Sequence, residues 1–292
     1  MNGNARVLCE GIYFGEGPRW RDGRLWFSDF YAKAVKSASL AGDVRTEFVI
    51  DDLPSGLGWM PDGSMLIVSM TGRRVLRRSP DGAVHVHAEL ADIATFHCND
   101  MVVDAAGCAY IGNFGFDLHR ELAARGAQSV LADHPTAKLA RISPEGVAEV
   151  AAADLHFPNG TVITPDGKTL IVGETLAAQL TAFDIGPDGA LSNRRVWAST
   201  FPRVPDGIAL DIEGAVWIAN ALAPESVRFA PGGEVLETIA TSQNCFACML
   251  GGDDGKTLFM MTAPSSMPTD VAAAPKGRIE VASVRAAHAG LP

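Results

Sequence analysis

Phe157-Pro158-Asn159-Gly160-Thr161-Val162-Ile163-Thr164-Pro165-Asp166-Gly167-Lys168-Thr169-Leu170-Ile171-Val172-Gly173-Glu174 decides how the chain is read. A polar residue opens it, an apolar run follows, Asp-Gly turns the chain, and a second apolar run ends on an acid. Two short apolar runs around an Asp-Gly turn predict a β-hairpin, because Gly takes the left-handed backbone the turn needs. The pattern recurs about six times. The turn glycines are Gly23, Gly63, Gly107, Gly167, Gly214 and Gly255, spaced 40, 44, 60, 47 and 41 residues apart. A period of about 40–45 residues built from four short strands is that of a propeller blade. A second hairpin completes most units, as in Arg74–Arg78, Pro80-Asp81-Gly82 and Val84–His87. The expectation is an all-β fold, one six-bladed β-propeller domain over residues 1–292. Arg6-Val7-Leu8-Cys9 is placed beside the last blade to close the ring. No long helical period occurs outside 117–126.

The composition narrows the function. Of 292 residues, 47% are hydrophobic, enough for a large core. Twenty-four Lys and Arg against 34 Asp and Glu give a formal charge of −10, without a basic cluster, so no nucleic-acid partner is expected. The five Cys lack framework spacing and read as free thiols; Cys245-Phe246-Ala247-Cys248 is one pair where a zinc site needs about four ligands. Residues 1–15 hold no secretory pattern and no stretch reaches the roughly 20 apolar residues of a membrane helix. The expected location is cytoplasmic, with no membrane partner. Neither a G-x-S-x-G elbow, a P-loop nor an HExxH is present.

In a propeller the first strand of each blade lines the central channel, so equivalent positions sit at one height. Asn99, Asn159 and Asp206 each stand eight residues before their turn glycine, and Glu16 stands seven before its own. A bulge or a shorter strand absorbs that one-residue offset. Ser55 and Ala247 fill the other two positions. One Asn or Asp at a strand start makes a turn; four in phase point to a shared task. Two carboxylates and two carboxamides are hard oxygen donors, suited to a divalent cation. Facing carboxylates in a dry channel are costly without one.

Glu16-Gly17-Pro18, Asn99-Asp100, Pro158-Asn159-Gly160 and Asp206-Gly207-Ile208-Ala209-Leu210-Asp211 resemble the senescence marker protein/gluconolactonase/luciferin-regenerating enzyme family, to which regucalcin belongs. The likeness spans about residues 12–262. It implies a central divalent-metal site of Glu16, Asn159 and Asp206, with Asn99 beside it as substrate contact or further ligand. It also implies Asp206 as general acid/base and hydrolysis of a lactone ring, most often a sugar lactone. The metal is left open among Ca, Mg, Mn, Zn and Fe. The chain departs from the family at His97, where sugar lactonases often carry Arg, and at Glu174-Thr175, where Asp-Ser is common. A neutral imidazole cannot copy the donor fork of Arg.

The long interval of 60 residues comes from an insertion at about 114–136. Inner strands start at the ligand end, so second strands exit there, and the insertion is expected to cover the metal face. Asn113 and Glu174, at such exits, are expected substrate contacts beside Asn99 and His97. Two alternatives use the same residues: a phosphotriesterase or fluorophosphatase with the same metal cage, and a non-enzymatic calcium-binding propeller.

Overall fold

The computed structural model describes residues 5–292. Six four-stranded antiparallel sheets form a propeller. The inner strands are Gly15–Arg21, Pro54–Trp59, Cys98–Val103, Pro158–Ile163, Pro205–Leu210 and Asn244–Gly251, heading blades 1 to 6. All six turn glycines have positive φ, from 70° to 93°, so each predicted hairpin turns where the sequence placed it. The ring closes through Arg6–Ile12, which pairs with Gly277–Ser283 as the outer strand of blade 6. That strand is longer than the four residues expected.

Burial explains the loose alternation. Second strands such as Met65–Ser69 and Val216–Asn220 are buried at every position, because a neighbouring blade covers each face. Outer strands such as Val44–Val49 are largely wet. Each gap between neighbouring blades holds its own apolar cluster: Leu57 with Val35 between blades 1 and 2, Met101 with Val68 between 2 and 3, Ile12 with Phe27 between 6 and 1. The tryptophans sit in these gaps, with Trp20 stacked on Phe259 at 5.3 Å and Trp26 edge-on to Trp59 at 5.7 Å.

The insertion in blade 3 is a helix, α1, spanning Leu118–Ala132. It runs past the 117–126 segment of the sequence reading. Gly126 does not end it but breaks it into two pieces, with φ 75° and ψ 159°. A second helical turn, α2, spans Pro268–Val271. Among the described residues no helix is long and apolar enough to cross a membrane.

The inner strands meet so closely that glycine is required at the axis. A Cβ on Gly56 would stand 2.4 Å from the Met101 amide nitrogen and 2.8 Å from the Asp100 carbonyl carbon. Gly56→Ala is therefore expected to lower stability by about 1–3 kcal/mol or more, since backbone must move. Urea denaturation checks this; an unchanged midpoint would refute the close approach.

Candidate active site at the channel mouth

A local feature turns three of the four in-phase side chains, Asn99, Asn159 and Asp206, toward the axis. In blade 3, Cys98 pairs with Asn113 and Met101 with Ile111, so three steps on the inner strand match two on its partner. Asn99 and Asp100 stand in that bulge. Blades 4 and 5 repeat it at Asn159-Gly160 and Asp206-Gly207. Bulges re-aim side chains, here out of the ladder and into the mouth. In blade 1 the bulge falls at Gly17-Pro18, one residue after Glu16, which matches the offset in the sequence. The side chains of Glu16, Asn99, Asn159 and Asp206 line one cavity of ≈ 360 Å³, with His97 at its side. Blades 2 and 6 add apolar groups instead, Leu53, Met70 and Phe246.

The electrostatics of the floor are unbalanced. Burial, the Asp206 charge and the Asp100 charge, in that order, push the Glu16 carboxyl well above its ordinary range. Burial also pushes Asp206 up to about 8, with a hydrogen bond from Asn159 opposing and the Asp100 charge adding. The cation beneath is Arg19, itself 4% exposed. Its Nη2 donates to Asp100 Oδ1 at 2.7 Å and its Nε to the Leu57 carbonyl at 2.8 Å. Three carboxylates thus share one guanidinium, which leaves two negative charges at the floor when all are ionised.

The amides point the same way. Thr175 Oγ1 donates to the Pro205 carbonyl at 2.8 Å and accepts from Asn159 Nδ2 at 3.2 Å. That fixes the amide and leaves the buried Asn159 Oδ1 without a partner. Asn99 Nδ2 is likewise buried and unpartnered. A buried unpaired carbonyl oxygen beside two strained carboxylates is the donor set of a hard divalent cation, and Glu16, Asn159 and Asp206 could hold one. Among the described residues no three His, Cys, Asp or Glu side chains are grouped to do so, and one of this set of three is an amide.

Two expected contacts lie elsewhere. Asn113 is 1% exposed; its Nδ2 donates to the Lys138 carbonyl at 2.5 Å and its Oδ1 accepts from Gly115 N at 3.0 Å. Glu174 is fully buried and accepts from His156 N at 2.8 Å, Gln179 Nε2 at 3.1 Å and Arg194 Nη2 at 3.2 Å. Neither lines the cavity. Both brace the blade end, as do Asp29 on the amides of Tyr13 and Phe14 and Asn220 on Val204 N. Of the pair Glu174-Thr175, it is Thr175 that reaches the cavity.

The insertion lines this face as expected, but the aromatic walls beside it were not foreseen. Phe14, Phe30, Met70 and Phe246 form a seventh apolar cluster, above the floor rather than between blades. Phe14 lies 4.9 Å from Phe246 and 5.3 Å from Phe30 between ring centroids. α1 contributes Leu118, His119, Leu122, Val130 and Leu131 to the same cavity. The sequence signal for α1 is the long interval before Gly167; for Phe14 and Phe30 it is only an aromatic residue next to a strand end.

A six-bladed propeller with acid and amide side chains at one mouth of its channel is the class of molecule this is. The chain belongs to the SMP-30/Gluconolactonase/LRE-like family, whose pattern matches residues 14–264. It is 25% identical over 264 residues to a pentonolactonase of Haloferax volcanii, covering 88% of this chain and 84% of that one. It is 26% identical over 265 residues to regucalcin of Bos taurus, covering 88% and 85%. A calcium-binding regucalcin structure from Agrobacterium tumefaciens superposes with a TM-score of 0.80 at 20% identity, covering 100% and 97%.

The raised carboxyl of Asp206 has a sign that can be checked. Between its unfolded value near 3.8 and its folded value of about 8, the folded state holds the extra proton. Stability then falls as pH rises through that window. In metal-free protein, Tm is expected to drop from about pH 5 to pH 8, and Asp206→Asn to flatten the curve. A melting series in EDTA measures it; an equal slope in the variant would refute the assignment.

Proposed function

We infer that the cavity hydrolyses a lactone, with one divalent cation held by Glu16, Asn159 and Asp206. The observation that carries this reading is the floor: three carboxylates around one guanidinium, next to an unpaired buried amide oxygen. The family match and the lactonase among the relatives support it. Sugar lactones, expected from the resemblance, are one kind of substrate within that class.

The residues divide the work as follows. A divalent cation bound here would polarise the acyl carbonyl and favour the ionised forms of Glu16 and Asp206. Asp206, as the ionised carboxylate, takes a proton from the attacking water at its oxygen. Water adds to the acyl carbon, the bond from that carbon to the ring oxygen breaks, and the proton passes to the departing oxygen. The product is the open hydroxy acid. Asn99 donates its free Nδ2 hydrogens to a substrate oxygen, which satisfies a buried donor at the moment of binding. Burial lowers the pKa of His97, so it flanks the substrate as a neutral ring stacked 4.0 Å from Phe96. Thr175 holds Asn159 in register, and the Arg19–Asp100 pair fixes the floor from below.

The second reading, a calcium-binding propeller without turnover, uses the same residues and differs only in activity. Lactone hydrolysis followed with a pH indicator separates the two. EDTA should abolish it and one of Ca²⁺, Mg²⁺, Mn²⁺, Zn²⁺ or Fe²⁺ restore it. Asp206→Ala should lose at least about 10²-fold in kcat, the size expected when a group acting in the transition state is removed. Near-normal turnover in that variant would remove the role from Asp206.

A further inference from the structure

The walls of the cavity carry almost nothing that could hold a sugar. Among the described residues no Lys or Arg lines it. Above the four floor residues, the polar side chains are His97, His119, Tyr31, Thr175 and Ser266. Burial lowers the pKa of both His97 and His119, which keeps them uncharged near neutral pH. The Thr175 hydroxyl is committed to Pro205 and Asn159. A polyhydroxylated lactone would have to strip water from several hydroxyls and set them against Phe and Leu, which is unfavourable for each one. The opposite chemistry is well served. Phe14, Phe30 and Phe246 line the cavity together with Leu118, Leu122 and Val130 of α1. The mouth is apolar too: Leu131 and Leu222 line the cavity while 49% and 69% exposed. A volume of ≈ 360 Å³ takes a whole medium-sized organic molecule.

Resting on the lactonase reading, we propose that the substrate is a lactone bearing an apolar alkyl or aryl substituent rather than a sugar lactone. The ring lies on the floor beside Asp206 and Asn99. The substituent lies between the aromatic cluster and α1. His97 fits this assignment: where an Arg would offer a charged fork to hydroxyls, the neutral stacked ring extends the apolar wall.

The test uses the full chain loaded in parallel with Ca²⁺, Mn²⁺ and Zn²⁺. Turnover is measured on glucono-1,5-lactone and on γ- and δ-lactones with side chains from methyl to heptyl, plus dihydrocoumarin. The expected result is kcat/KM rising about fourfold per methylene over the first several carbons and exceeding the sugar lactone at least about 100-fold. Leu122→Gln, on a partly exposed helix position, should flatten that rise while circular dichroism shows the fold intact. A preference for the sugar lactone, or no dependence on chain length, overturns the proposal and leaves the lactonase reading in place. If no lactone is opened, that reading fails. Calorimetry with unreactive alkyl and sugar lactams then decides: tighter alkyl binding upholds the apolar ligand class, equal or weaker binding overturns it.

Discussion

The structure depends on backbone touching backbone at the propeller axis. Next to Gly17, Gly160 and Gly207, as next to Gly56, the neighbouring inner strand stands where a side chain would begin: a Cβ would lie 2.8 Å from the Ser55 carbonyl, 2.5 Å from Ile208 N and 2.7 Å from Ala247 Cα. Nothing larger than hydrogen fits between these strands. Beneath the mouth the Arg19–Asp100 pair is buried between these strands. Burial matters because a carboxylate in a dry, rigid setting is disfavoured, while two of them in water would repel little. Glu16 and Asp206 are strained by the same geometry that brings them together. A floor that could relax would let water in and relieve that strain.

Bulges convert this tight ring into a site. A regular inner strand would direct successive side chains into the two blade gaps, where the neighbours are apolar. One extra residue in the inner strands of blades 3, 4 and 5 frees two positions from the ladder. In blades 4 and 5 the second of these is the glycine of the axis, and the first is left facing up. In blade 3 the second is Asp100, and the guanidinium of Arg19 fills the space and matches its charge. The local twist, the axial packing and the position of the donors are one feature seen at three scales.

Much of this was legible because propeller geometry turns sequence phase into spatial height. The turn glycines could be counted, and the residues seven or eight places before them fell on one ring. The same reasoning failed for Asn113 and Glu174. They end second strands on the correct face, yet a strand end can turn its side chain either to the channel or into its own blade. Asp29, Glu174 and Asn220 turn inward because the amides that lead into the inner strand need acceptors there. Sequence spacing does not register that demand. The length of α1 was hidden by Gly126, which reads as a stop but only kinks the helix. The Arg19–Asp100 pair joins residues 81 apart and leaves no local mark.

The walls were illegible for a deeper reason, which also says how such a fold varies. Phe14, Phe30 and Leu53 reach the cavity from chain segments flanking the strands, where no period constrains them. Loops on the ligand face can lengthen, as the interval before Gly167 shows, without disturbing the glycine contacts below. The floor is therefore fixed by sheet geometry, while the walls are free of it. Polarity of the wall then sets what can sit on the floor, because a buried hydroxyl without a partner is penalised whatever the chemistry beneath it. An apolar wall with a neutral His97 stands over an acid and amide floor, so the two halves of the cavity favour opposite chemistries.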